Sequence, residues 1–163
     1  MGFEMPKVCY ERDGRSPPPT SALTSRVMSA NKGRNTGPEL ALRKSMREVG
    51  LRGYRLHWRK VPGRPDIAFP GRKKAIFVNG CFWHRCPHCN PSSPKAHAKY
   101  WRDKFRRNKR RDCLKIRGLE DMGWTVAIVW ECEIRSNPNA VAVRIRNWVL
   151  AEDSHDREIY LAS

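Results

Sequence analysis

The chain has 163 residues, the length of one domain with a short extension. Its apolar share, counted with glycine and without tyrosine, is about 44%, close to the globular range, which argues against wholesale disorder. Lys and Arg number 33 against 16 Asp and Glu, a net charge of +17, and no apolar run reaches the length of a membrane span.

Residues 1–30 hold Pro17, Pro18 and Pro19 and no sustained period, so they are expected to form a flexible arm. No apolar stretch among them suits a signal peptide, and Pro6 breaks the myristoylation pattern. The protein is therefore expected in the cytoplasm, with its six cysteines as thiols or metal ligands, not disulfides. Order is expected from about Asn35. Thr36-Gly37-Pro38-Glu39 has capping-box spacing, Leu42, Met46 and Val49 follow at helical spacing, and Gly50 stops the helix. A strand is predicted at Tyr54–Trp58 and broken by Val61-Pro62-Gly63. A second is predicted at Pro65–Phe69, ended by Pro70-Gly71. Ala75–Val78 is an unbroken apolar run, the mark of a strand buried on both faces.

Residues 81–89 contain three cysteines, two histidines and no period. A long helix is predicted from about Lys99 to Gly123, its inner stripe Trp101, Phe105, Asn108, Asp112, Ile116 (or Lys115), Leu119 and Met122. Thr125–Trp130 reads as another buried strand. Asn137-Pro138 opens a last helix with Val141, Ile145 and Trp148 inward. The order α-β-β-β-α-β-α gives an α/β fold, a mixed central sheet flanked by helices. The domain is drawn at 31–152, with a tail at 153–163.

Residues 31–118 carry 25 basic and 5 acidic residues, whereas residues 119–163 carry 4 and 8. A block of that size repels itself unless a polyanion screens it, and nucleic acid is the default partner. Charge alone does not separate DNA from RNA.

Cys81, Cys86 and Cys89, with Cys132 far downstream at the predicted end of a strand, suit tetrahedral zinc. His84 and His88 in the same loop leave more candidate ligands than positions, and a set of unpaired buried thiols is the bland alternative. Four protein ligands leave no open position, so such a site is structural. Cys9 and Cys113 have no partners in sequence.

Three polar residues fall in apolar places. Asp66 sits at the mouth of a strand, where a carboxylate is costly unless it is paired or binds a metal. Asn108 and Asp112 interrupt the stripe of the long helix, and Asp112 there needs a partner, a histidine or a bound water. His84 lies one loop beyond the central strand. Each alone is more often structural. Together they form an acid, a base and an orienter at one edge of the sheet, as Mg²⁺-assisted phosphodiester hydrolysis requires.

The motifs Asn35–Glu39, Pro62-Gly63-Arg64-Pro65-Asp66, Ile76–His84, Trp101–Asp112, Gly123-Trp124 and Val129–Glu133 make the chain resemble the very short patch repair (Vsr) endonucleases over about residues 26–150. The resemblance implies the restriction-endonuclease-like PD-(D/E)xK fold. It implies nicking of double-stranded DNA 5′ to the thymine of a T·G mismatch, with Mg²⁺ for chemistry and a structural Zn²⁺. By the same resemblance Asp66 and the backbone carbonyl of Val78 hold Mg²⁺, His84 is the general base, Asp112 supports it, and Glu39 stands near the site. Phe82, Trp83 and Trp101 wedge into the duplex, and Lys104, Arg107 and Asn108 complete the DNA-contacting set. Cys81, Cys86, Cys89 and Cys132 fall on the zinc ligands.

The chain departs from the family twice. Asn79 stands where a histidine is common in the catalytic site, and Asn cannot carry a proton at neutral pH. Cys86 stands where the family often has a histidine, in a loop one residue longer. The ligand set is thus three or four cysteines, with His88 as the alternative. The partner implied is mismatched duplex DNA, with no membrane; the protein is read as a nucleoid-associated monomer, and repair proteins as further partners are left open. Two rivals stay open: another nuclease of the fold, such as a restriction enzyme, and a zinc-stabilised DNA-binding module whose nuclease centre has decayed.

Overall fold

The computed structural model describes residues 33–151; the expected arm and tail lie outside them. Helix α1 spans Gly37–Glu48. Its capping box forms as the sequence requires: Thr36 Oγ1 accepts the Glu39 N–H, and Glu39 Oε1 accepts the Thr36 N–H at 3.3 Å. Leu42 and Met46 are fully buried, and Gly50, at φ +77°, follows the helix in the left-handed conformation glycine tolerates.

Strands β1 (Arg55–Leu56), β2 (Ile67–Phe69) and β3 (Lys74–Asn79) form an antiparallel meander, and β4 (Thr125–Trp130) adds to β3 in parallel. The sheet is mixed, as expected, in the order β1-β2-β3-β4. The first strand is shorter than Tyr54–Trp58, because only Arg55 and Leu56 find partners, Ala68 and Ile67. A 3₁₀ turn, Pro70–Arg72, joins β2 to β3. In the β3–β4 register, Lys74 faces Thr125 and Asn79 faces Trp130.

Alternation along the strands feeds two cores. Ile67, Phe69, Ile76 and Val129 meet Leu42 and Met46 of α1, and Val141, Ile145 and Trp148 of the last helix. Ala68, Ala75 and Phe77 point the other way, onto Val61, Leu119 and Trp124. β3 is thus buried on both faces, as its sequence implied. β4 is not: it is the edge strand, and only Ala127 and Val129 are buried.

The long helix, α3, spans Ala98–Glu120. Phe105, Asn108 and Leu119 of its predicted stripe are buried, but Met122 is 44% exposed. The helix ends before Met122, and the turn through Gly123 at φ +74° rotates that side chain outward.

Two short helices escape the predicted order: α2 (Cys81–His84) directly after β3, and α4 (Glu131–Ser136) directly after β4. Neither is long enough to display a helical period. Cys132 therefore sits in the first turn of a helix, not at the end of a strand. Glu133 Oε2 accepts the Trp130 N–H at 2.9 Å, and Oε1 pairs with Arg144 at 2.7 Å, tying α4 to the last helix, α5 (Pro138–Leu150). Lys74, outside the predicted strand, is buried and donates to the carbonyls of Trp148 and Ala151, both at 2.9 Å, satisfying orphan acceptors at the end of α5.

The turn before Asp66 is seated on α3 through Gly63. At φ +73°, a Cβ on Gly63 would stand 2.7 Å from Lys115 Cβ and 3.1 Å from Phe77 Cζ. Gly63→Ala combines left-handed strain with overlap and is expected to cost about 2–3 kcal/mol. The urea midpoint measures it; an unchanged midpoint contradicts the close packing.

Candidate active site and thiol cluster

Asp66 precedes β2, at the sheet end where β3 finishes. Its Oδ2 accepts the Val78 N–H at 2.8 Å, which fixes the carboxylate beside the backbone of β3. Glu39 and His57 close around it: His57 Nδ1 lies 3.7 Å from Asp66 Oδ1, and His57 Nε2 lies 3.6 Å from Glu39 Oε2. The carboxylate of Glu39 is held by the capping box of α1, so the group that starts the helix also faces Asp66. Burial raises Asp66 above its ordinary carboxylate value. The Val78 hydrogen bond opposes this, Glu39 adds to it, and His57 and Lys115 oppose it. The ligand atoms of Glu39, His57 and Asp66 lie within 4.8 Å of one another, a group able to hold a metal ion.

His84 and Asp112 meet from α2 and α3. His84 Nδ1 and Asp112 Oδ2 are 2.5 Å apart, giving Asp112 the histidine partner its place in the helix calls for. Lys115 Nζ approaches Asp112 Oδ1 at 3.5 Å. Burial alone would raise Asp112, but the hydrogen bond and charge of His84, with Lys115, outweigh it and hold the carboxyl below its ordinary value. Lys115 also acts electrostatically on Asp66, so one ammonium serves both carboxylates. Asn79 is buried at the end of β3.

Phe82, Trp83 and Trp101 are half-buried and packed on one another. Phe82 stands edge-on to Trp83 at 5.1 Å and to Trp101 at 5.4 Å, and Trp83 lies 6.1 Å from Trp101. Phe105 lies beneath Phe82, with the Arg85 guanidinium over its ring. Asn108 is buried; its amide donates to the Trp83 carbonyl at 2.9 Å and its oxygen accepts from Arg111. It thus anchors the aromatic turn to α3. Lys104 is half-buried and Arg107 exposed on the same helix, which carries ten basic and three acidic residues.

The sulfurs of Cys81, Cys86, Cys89 and Cys132 lie within 4.8 Å of one another. Cys86 Sγ and Cys132 Sγ are 3.7 Å apart, far beyond a disulfide's ~2.05 Å and close to the ~3.8 Å edge of a tetrahedron with 2.3 Å metal–sulfur bonds. Burial disfavours ionisation of Cys86. The N–H groups of Cys89 and His88, with the neighbouring thiols, outweigh it and lower the Cys86 thiol. Burial and the neighbouring Cys86 push Cys132 up to about 11. Four thiols this close cannot all ionise without a cation among them. His88 is exposed, its ring edge-on to Trp130 at 6.5 Å, and is not in this group. Cys113 is exposed on α3, and Cys9 lies outside the described residues.

Residues 19–90 match the family described as DNA mismatch endonuclease Vsr. The chain is 34% identical over 136 residues to the DNA mismatch endonuclease Vsr of Escherichia coli, covering 80% of this chain and 86% of the relative. It belongs to the Vsr family. It is 41% identical over 121 residues to the type II nicking enzyme V.XorIIP of Xanthomonas oryzae, covering 74% of this chain and 88% of the relative. It is 42% identical over 125 residues to the type II nicking enzyme V.NaeI of Lentzea aerocolonigenes, covering 74% of each. As a Vsr-family protein it is a DNA endonuclease, a hydrolase of phosphodiester bonds. Among the described residues no helix is long and apolar enough to cross a membrane.

Sequence reasoning missed His57. Its signal was weak: one histidine at the end of a short strand, whose place opposite Asp66 depends on a register that the sequence does not print.

Proposed function

We propose that this endonuclease nicks double-stranded DNA 5′ to the T of a T·G mismatch, in a Mg²⁺-dependent, strand-specific reaction of very short patch repair. The restriction-endonuclease-like PD-(D/E)xK fold is the frame we assign to the mixed sheet, and the domain is taken as residues 31–152. The observation that carries the reading is the Asp66–Val78 contact beside the paired His84 and Asp112.

Asp66 and the Val78 carbonyl are the groups that would hold Mg²⁺, with Glu39 close by. When bound, the ion supplies stabilisation of the charge that builds on the phosphate oxygens. Asp112 keeps the proton of His84 on Nδ1, which leaves Nε2 with a lone pair to take a proton from the attacking water. Lys115 offsets the two half-buried carboxylates. Asn79 cannot add a second titrating base, so His84 carries that step. Zn²⁺ suits the four thiols, which leave no position for a reactive water; its role is structural, and His88 is the alternative ligand. Lys104, Arg107 and Asn108 fit a DNA-contacting surface along α3. The enzyme is read as a cytoplasmic, nucleoid-associated monomer.

Phe82, Trp83 and Trp101 offer a cluster of apolar rings suited to wedge into a duplex, and unstacking costs least at a mismatched step. Trp83→Ala is expected to weaken binding to a T·G duplex about tenfold and to a matched duplex less than threefold. Equal losses on both, with the fold intact, would remove the wedge from the reading. The decisive assay is nicking of a T·G duplex with Mg²⁺ over a panel of sequence contexts. Binding without nicking in every context would leave the decayed DNA-binding module, and nicking of matched sites would favour a restriction-type enzyme.

A further inference from the structure

The register of the first hairpin puts His57 opposite the catalytic aspartate. Leu56 pairs with Ile67, so the next step aligns His57 with Asp66, and the His57 N–H donates to the Asp66 carbonyl at 3.1 Å. The imidazole lies between two carboxylates, its Nδ1 3.7 Å from Asp66 Oδ1 and its Nε2 3.6 Å from Glu39 Oε2.

One further feature sets this histidine apart. Its Nε2 is shielded from solvent and has no hydrogen-bond partner among the described residues, a costly state for a ring nitrogen unless a cation or acceptor meets it. Octahedral donors about 2.1 Å from a cation stand ~3 Å apart, and one ligand atom from each of Glu39, His57 and Asp66 already lies within 4.8 Å of the other two, so a bound ion would draw them together.

We propose that His57 is a further protein ligand of the catalytic cation, binding through a ring nitrogen beside Asp66, the Val78 carbonyl and Glu39. This rests on the reading of Asp66 as a cation ligand. A nitrogen donor alters ion preference. Mg²⁺ takes oxygen and gives up water reluctantly, whereas first-row transition ions accept imidazole readily. The centre therefore takes Mn²⁺ more tightly than Mg²⁺. Glu39 can serve although its oxygens accept the Asn35 and Thr36 N–H groups, because each carboxylate oxygen has more than one lone pair.

The experiment uses the full chain, free of DNA and loaded with zinc. Mn²⁺ is titrated by the EPR signal of the free ion, Mg²⁺ is used as competitor, and pulsed EPR reads ¹⁴N coupling to the bound Mn²⁺. Wild type is expected to bind Mn²⁺ at least tenfold more tightly than Mg²⁺ and to show ¹⁴N coupling. His57→Gln, similar in size, is expected to lose the coupling and at least tenfold of the Mn²⁺ affinity, with Mg²⁺ affinity falling less than threefold. His84→Gln keeps the coupling. Absence of ¹⁴N coupling in wild type, which needs no variant to fold, overturns the proposal, as does coupling that survives in His57→Gln or vanishes in His84→Gln. Unchanged Mn²⁺ affinity in His57→Gln with loss in Asp66→Asn overturns the histidine ligand alone. Unchanged affinity in Asp66→Asn overturns both the ligand and the reading beneath it.

Discussion

Asp66→Asn is expected to cut nicking of a T·G duplex by about 10³-fold or more, equivalent to ~4 kcal/mol of transition-state stabilisation. The amide oxygen can still accept the Val78 N–H, so the local backbone is retained. What is lost is the negative charge that would hold a divalent cation. DNA affinity depends mainly on the basic surface and should change less than threefold. The amide also removes a charge from a largely buried position, so the melting temperature of the cation-free protein is not expected to fall. Gel-based nicking, a binding titration and a thermal melt measure the three quantities. Nicking near the wild-type rate with Mg²⁺ would refute the assignment of Asp66.

Cys132→Ser is expected to act on stability and activity together. A serine hydroxyl is a poor replacement for a thiolate, so zinc content should fall from about one per chain to below about half. The loss is expected to cost about 3 kcal/mol and lower Tm by ~10 °C. Nicking should fall at least about tenfold, because Cys81 and His84 share one turn of helix and the ligand that fixes one end fixes the other. The same measurements on Cys86→Ala and His88→Ala separate the ligands. Zinc kept in Cys86→Ala and lost in His88→Ala would replace the all-cysteine set with one containing His88.

The parts legible in the sequence are those whose cause is local. The Thr36–Glu39 capping box, the apolar run of β3 and the inner face of α5 each carry their signal within a dozen residues, and each forms. The four cysteines were legible because residue type and spacing suffice. Other features depend on what lies across the fold. α2 and α4 are stabilised by their neighbours, as in the Cys81 N–H bond to Glu131 at 3.2 Å, and four or six residues hold too little periodicity. Lys74 looks like the end of a basic run until α5 presents its carbonyls. His57 acquires meaning only when β1 pairs with β2. Met122 extends the stripe of α3 in sequence, but the helix stops short of it.

The parallel pairing of β3 with β4 has a consequence for how this chain tolerates change. Asn79 faces Trp130, and Cys81 and Cys132 each follow two residues beyond that pair. The thiol group is therefore a gauge of strand register. A slip by one residue would carry one sulfur about 3.3 Å along the sheet and turn its strand inside out. The correct alignment of two segments some fifty positions apart is thus checked twice, by side-chain burial and by the meeting of the four thiols. Residues 91–96 bear neither constraint: they lie outside the four-cysteine group and before α3, so a change of length there is cheaper than within β3 or β4.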